Sequence, residues 1–296
     1  MKTNDIFDWR RFGKYFASDV RICTANYGLS LLTISLLLPL IVYMVTSAMN
    51  LILKSEWNGP DTGLRFFVFA MAIFCIVITM PVKCYGKITE KKYGSFWLTL
   101  PASKLEKSIT MIIMTCIIVP VTGTVLHLGI DALICGIDQS CGNSIIAGVI
   151  EWFKNFRDLK EVTLNLMNEH LEIDNAAIAK ELLRQVSHPI LYIDEIFCIT
   201  LPFLLGAIYF KNGKTVKTFL VIFAFSTVAS IIVTPAMTTW TKDIISTLGN
   251  DDTALLKSMF GSGLFRHLVL IDTISDTIMN VALLTGIWFR INTLKH

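Results

Sequence analysis

The sequence predicts an all-α polytopic membrane protein, with six transmembrane helices, an N-terminal amphipathic elbow helix and helical exterior loops. Six apolar stretches each come close to the roughly 20 residues that cross about 30 Å of hydrocarbon at about 1.5 Å per residue. A mean hydropathy of +0.61, with 53% hydrophobic and 17% charged residues, sets the chain apart from soluble domains. The basic residues crowd into alternate connections.

Residues 1–28 form the expected elbow. Ile6, Phe7, Trp9, Phe12, Phe16, Val20 and Ile22 interleave with Arg10, Arg11, Lys14 and Arg21. Trp9, Phe12 and Phe16 recur at three and four and share a helical face, while Arg10 and Arg11 are able to reach lipid phosphate. An ordinary juxtamembrane anchor and a helix lying on the leaflet both fit this pattern. The polar residues ahead of the first span, with no small-residue cleavage site, predict an uncleaved anchor.

Residues 29–135 hold spans one to three, at Leu29–Met49, Leu64–Val82 and Ser108–Leu128. Residues 136–189 form an exterior helical loop. In it Ile146, Val149, Ile150 and Phe153 predict a helix over Ile145–Arg157, and Val162–Met167 and Ile173–Val186 predict further short helices that cap the bundle. His188-Pro189 is a helix start signal, because proline is tolerated in a first turn. Residues 190–296 hold spans four to six, at Ile190–Tyr209, Thr218–Thr239 and Leu268–Phe289. Between the last two, the segment 241–266 reads as two short helices, around Ile244, Ile245 and Leu248 and around Leu255, Leu256, Met259 and Phe260, or as a plain loop.

Charge sets the expected orientation. The N-terminal segment, the connection Lys83–Lys107, the turn with Lys211, Lys214 and Lys217, and the tail with Arg290 and Lys295 together carry 16 of the 26 Lys and Arg residues. The region Asp131–Glu195 has eleven acids against five basic residues. The positive-inside rule then places both termini in the cytoplasm and the acidic loop outside. The overall charge of +3 is spread by this asymmetry and gives no indication of nucleic-acid binding.

Several ionisable and sulfur-bearing residues stand out. Asp272 and Asp276 lie four apart on span six, and Asp194 and Glu195 occupy the outer turn of span four, near enough in topology for Arg266 or His267 to approach them. Carboxylates at such depth need an internal partner or an aqueous cavity, so an interhelical polar lock, a vestibule wall and a cation or proton relay all fit. Cys135 and Cys141 are placed to form a local disulfide in an oxidising exterior. No Cys/His spacing resembles a metal site, and His127, His170, His188 and His267 stand without a paired ligand motif. Pro39, Pro81, Pro120, Pro202 and Pro235 lie in or at the edge of a span, where they are able to kink it. The sequence has no G-x-x-x-x-G-K-[ST], H-E-x-x-H or G-x-S-x-G run, which leaves the chain with no catalytic group of its own to name.

The connection Lys83–Lys107 carries most information. Tyr93, Phe96, Trp97, Leu98 and Leu100 give an amphipathic body, which Pro101 ends by disfavouring helix at Leu100. Ser103 and Glu106 then form a capping box for the next helix. The aromatic patch either embeds among headgroups or docks a protein.

In this connection Glu90, Gly94, Ser95, Leu98, Thr99, Leu100, Pro101, Ala102 and Ser103, followed by Lys107, resemble the E-x-x-x-G-[ST] and T-L-P-[VA]-[ST] runs of ABC-2 type (type-2 exporter class) ATP-binding-cassette transporter permeases. The resemblance is to the small six-span members of Bacteroides-like bacteria. It covers about 20 residues by motif and the whole chain by span count and orientation, while the enlarged loop after span three departs from the shorter family pattern. It implies an ATP-driven exporter subunit of the bacterial cytoplasmic membrane, paired with a second permease copy or homologous half. A separate cytoplasmic ABC ATPase would hold ATP and Mg. The implied ATPase-coupling residues are Glu90, Tyr93, Gly94, Phe96, Trp97, Leu98, Pro101 and Lys107, and the segment 241–266 would dip back into the outer leaflet. Two other classes fit the residues: a membrane scaffold or sensor with an exterior ligand-binding loop, and a gradient-driven transporter, which would call for an inverted repeat that the sequence does not display.

Overall fold

A computed structural model describes residues 7–148, 150, 189–248 and 264–294 of the chain. The described residues are helical almost throughout. Helix α1 (Trp9–Leu32) passes through a π-helical turn (Thr33–Leu37) into α2 (Leu38–Lys54). Helix α3 (Thr62–Tyr85) ends in a 3₁₀ turn (Gly86–Thr89), followed by the short α4 (Lys91–Thr99). Helix α5 (Lys104–Ile113) continues through a second π turn (Met114–Ile118) into α6 (Val119–Ile137). Helices α7 (Pro189–Tyr209), α8 (Lys214–Leu248) and α9 (Leu264–Thr293) complete the fold.

Four described segments are long and apolar enough to cross a membrane: Trp9–Lys54, Thr62–Thr89, Lys104–Ile137 and Lys214–Ile231. Their burial runs opposite to that of a soluble core. Ile41, Met44, Val45, Phe67 and Val125 are exposed, whereas Ser35, Ser47, Thr110, Thr115 and His127 are buried. Apolar side chains facing outward along helices of this length are what hydrocarbon selects. The chain is an all-α, largely apolar helical bundle of a membrane-spanning protein.

Three boundaries differ from the sequence reading. The expected elbow and span one are one unbroken run of 46 residues, with no joint at residue 28. Such a run is about 69 Å long by helix rise, more than twice a hydrocarbon core, so about half of it extends beyond the spanning part. Helix α6 runs nine residues past the expected end at Leu128, through Gly129 and Gly136, until Asp138 adopts an extended conformation. Helix α8 continues through Ile244, Ile245 and Leu248 with Pro235 inside it, so these residues extend the helix that holds span five. The remainder of 241–266 up to 263, and residues 151–188 of the exterior loop, lie outside the described residues. Helix α7 is described from Pro189 onward, and the residues that would show where it starts lie outside the described residues.

Both π turns have a proline two residues past their end: Pro39 and Pro120 each lack an N–H and crowd the carbonyl four residues earlier, at Ser35 and Cys116. Widening the preceding turn accommodates the ring without breaking the helix. Ile76, Met80 and Val119 form the core beside these turns, with Leu31, Ile34 and Ile73 packed on them. Gly123 lets α6 approach α3 closely, since a Cβ there would stand 2.8 Å from Ile76 Cδ1.

By internal contacts the chain divides into one unit of Met1–Trp152, Ile199–Lys217 and Leu283–His296, and a second of Phe153–Cys198 and Thr218–Ala282. In the second, the Cys198 thiol of α7 lies 3.8 Å from the carbonyl of Asp276 on α9. In the first, the end of α9 buries Ile287 and Ile291, and Arg290 Nε donates to the carbonyl of Ile208 on α7 at 3.1 Å.

At the end of the first unit marked by Asp138, Arg65 and Asp131 form a buried ion pair at 2.9 Å, with side chains 6% and 4% exposed. Arg65 Nη2 also donates to the carbonyls of Cys141 at 2.9 Å and Asn143 at 2.7 Å, and Asp131 Oδ2 accepts from Ile145 N at 2.7 Å. The pair therefore fastens the chain after α6 onto α3. Cys135 and Cys141 are free thiols beside it. Asp138 accepts from Tyr43 Oη at 2.6 Å and Trp57 Nε1 at 3.1 Å, and the Tyr43 bond foremost, with those from Ser140, holds its carboxyl down at about 2.

Removing Arg65 alone strands a buried carboxylate. Arg65→Met is expected to lower stability by about 3–5 kcal/mol. In detergent this reads as a Tm loss of at least about 6 °C, of which Arg65→Met with Asp131→Leu recovers about half.

Candidate functional site

The connection between α3 and α5 is the candidate site, and its geometry starts from two helix caps. Asp8 caps α1, its Oδ1 accepting from Arg10 N at 2.7 Å and Arg11 N at 3.2 Å. Ser103 caps α5 as the sequence predicts: its Oγ accepts from Glu106 N at 3.2 Å, and Glu106 Oε2 accepts from Ser103 N at 2.8 Å. Glu106 is wholly buried, and its remaining capacity goes to α1. Arg11 Nε donates to Oε2 at 2.9 Å, Arg11 Nη2 to Oε1 at 2.9 Å, and Asp8 N to Oε1 at 2.8 Å. A bidentate guanidinium with two backbone donors is the arrangement a buried carboxylate requires. The first turns of α1 and α5 are thereby locked together.

Helix α4 lies over this lock. Leu100 is extended and ends the helix, as Pro101 predicts. Trp97 is 3% exposed and packs against Tyr15 of α1. Lys107 is also buried; its Nζ donates to the carbonyl of Trp97 at 2.8 Å and stands 4.9 Å from the centre of the indole. A lysine at the C-terminal end of a helix satisfies an orphan carbonyl and complements the dipole. Tyr93 is half-buried, and burial with the neighbouring Asp19 carboxylate pushes its phenol above its ordinary range. Gly94 is buried as well.

The sequence-predicted coupling residues thus divide by face. Glu90, Phe96 and Pro101 are exposed, with Phe96 57% accessible, beside the exposed Ser95 and Thr99. Tyr93, Gly94, Trp97 and Lys107 face inward. The expectation of an aromatic patch open to a partner therefore holds for Phe96 and is corrected for Trp97, whose indole is turned under α4 by the Lys107 contact. The side chain of Leu98 lies outside the described residues.

The elbow residues are also redistributed. Phe7, Trp9, Phe12 and Phe16 form a chain of ring contacts, with centroids 5.0 Å apart for Phe7–Trp9 and 5.8 Å for Phe12–Phe16. Trp9 and Arg10 are exposed. Arg11, expected to meet lipid phosphate, is committed to Glu106.

Three further contacts bring the other basic segments to this end. Lys214, in the first turn of α8, donates to the Gly86 carbonyl and, at 2.7 Å, to Thr89 Oγ1. Lys104 Nζ donates to the Asn292 carbonyl at the end of α9 at 3.0 Å. Tyr85 Oη donates to Asp19 Oδ2 at 2.6 Å, joining α3 to α1. The four segments that charge counting groups on one side therefore meet at one end of the first unit. Of the expected intramembrane acids, Asp276 contributes its carbonyl to Cys198; the side chains of Asp194, Glu195 and Asp272 lie outside the described residues.

Sequence reasoning missed the Arg11–Glu106 and Arg65–Asp131 pairs. Arg65 gave a signal, being the one cation early in an apolar run that ought to have a partner. Comparison with protein-family models, with curated proteins and with solved structures gives no match.

Lys107→Met removes a charged donor from the Trp97 carbonyl, a loss of about 1.5–3 kcal/mol. Hydrogen exchange of the α4 amides is expected to rise by roughly 10- to 100-fold, with the α6 amides unchanged.

Proposed function

We propose that the chain is the membrane permease subunit of an ATP-driven transporter, an exporter by its resemblance, and that α4 receives a cytoplasmic ABC ATPase. The observation that carries this reading is the two-faced character of α4. Its outer side presents Phe96, with Pro101 exposed just past its end, while its inner side is fixed through Trp97 and Lys107 to the helices that enter the apolar bundle. Of the motif residues, Gly94, Ser95 and Thr99 lie on α4, Glu90 immediately precedes it, and Pro101 and Ser103 lie in the turn into α5.

In this reading ATP and Mg are held by the partner, and this chain supplies no catalytic group. Closure of a pair of ATPases would press on Phe96, Pro101 and Glu90. Trp97 and Lys107 pass the displacement to α5, and Glu106 with Arg11 passes it to α1. Trp97 is then a transmitting residue and not a contact. Two copies of the chain, or this chain and a similar half, would form the pathway in the bacterial inner membrane, with both termini and the α4 end in the cytoplasm. The concentration of basic residues at that end supports this orientation.

Affinity isolation of the tagged chain from its native membrane tests the proposal. A P-loop ATPase is expected to accompany the wild type, and Phe96→Asp is expected to reduce its recovery at least about tenfold, the effect of losing a central aromatic anchor. Stimulated ATP hydrolysis should fall in the same proportion, with the ATPase's own nucleotide affinity unchanged. Recovery of a kinase or regulator in place of an ATPase would overturn the proposal in favour of a scaffold or sensor.

A further inference from the structure

Helices α1, α3 and α6, with the π turn at Met114–Ile118, border a groove of about 190 Å³. Its walls are largely apolar, formed among others by Val20, Leu31 and Leu32 of α1, Met80 of α3, and Ile118 and Leu126. The volume is below the roughly 300 Å³ at which pockets for compact drug-sized ligands begin. The groove is long instead: its α1 wall runs from Val20 to Leu32, about 18 Å by helix rise. One leaflet of a hydrocarbon core is about 15 Å deep. An extended acyl chain matches that length and that lining.

The α1 wall also carries an amphipathic group. Tyr27 lines the groove, and the exposed Lys87 holds its ammonium 5.8 Å from the centre of the Tyr27 ring. Among the described residues no carboxylate forms an ion pair with Lys87, and Asp19, one turn before Cys23, is engaged by the Tyr85 hydroxyl. A cation thus stands beside an apolar channel of leaflet depth, at the end of the unit where the basic segments gather. We propose that this groove binds one anionic phospholipid, with an acyl chain along α1 and the phosphate on Lys87. The site rests on the membrane-spanning character of the chain and not on its pairing with an ATPase.

Native mass spectrometry of the delipidated full chain, offered equimolar phosphatidylglycerol and phosphatidylcholine, tests it. The wild type is expected to retain one phosphatidylglycerol with about fivefold preference, the scale of one lysine against an anionic headgroup. Lys87→Gln should bind both lipids equally. Thr24→Trp, which fills the groove from an exposed helix position, should lose both adducts while its circular dichroism and elution volume stay those of the wild type. Unchanged preference in Lys87→Gln, or unchanged adducts in Thr24→Trp, would overturn the proposal. A wild type that holds no lipid but forms a dimer broken by Thr24→Trp would also overturn it, assigning the groove to a second copy of the chain.

Discussion

The buried carboxylate of Glu106 is the constraint around which the basic end of the molecule is organised. A fully buried charge is tolerated only when its lone pairs are taken, and here a guanidinium and two backbone N–H groups take them. Two of these donors come from the start of α1 and one from the residue that caps α5. The helix starts therefore cannot separate without stranding the charge. Helix α4 lies across the lock and is tied to it by Lys107, so the exposed Phe96 sits on a short helix fixed against the starts of both membrane-length runs.

Hydrocarbon supplies the complementary constraint. Pro39 and Pro120 fall within long apolar runs just after a widened turn that keeps the backbone bonded, while Pro81 sits inside α3 without one. At the opposite end of the unit, Arg65 and Asp131 fasten the chain leaving α6 back onto α3. The first unit is thus tied at both ends by ion pairs, one buried on both sides and the other half-buried at Arg11, and held between them by apolar packing and close helix approach, as at Gly123. Large apolar side chains left on the outer faces of α2, α3 and α6 are consistent with lipid as the surrounding solvent.

Much of this was legible because it is local. The stop at Leu100 and the Ser103–Glu106 box follow from backbone chemistry within a few residues. The grouping of four basic segments follows from charge alone. What was not legible depends on pairing across the chain. Ending span three at Leu128 puts Asp131 into the acidic loop, where it counts among the exterior acids and not as the partner of Arg65. The inward turn of Trp97 depends on Tyr15 and Lys107, which lie 82 and 10 residues away, and periodicity over a nine-residue helix does not choose between its faces. Arg11 is indistinguishable from Arg10 in sequence, yet only Arg11 lies on the side of α1 that meets Glu106.

The central claim is that Phe96 and the α7–α8 turn share one side of the membrane and the Asp138 end faces the other. Impermeant maleimide labelling of Ser95→Cys, Asn212→Cys and Gln139→Cys, each at an exposed position, measures it directly. The account predicts that Gln139→Cys reacts in intact cells and that the other two react only after permeabilisation. Labelling of Ser95→Cys and Gln139→Cys from the same side would contradict it.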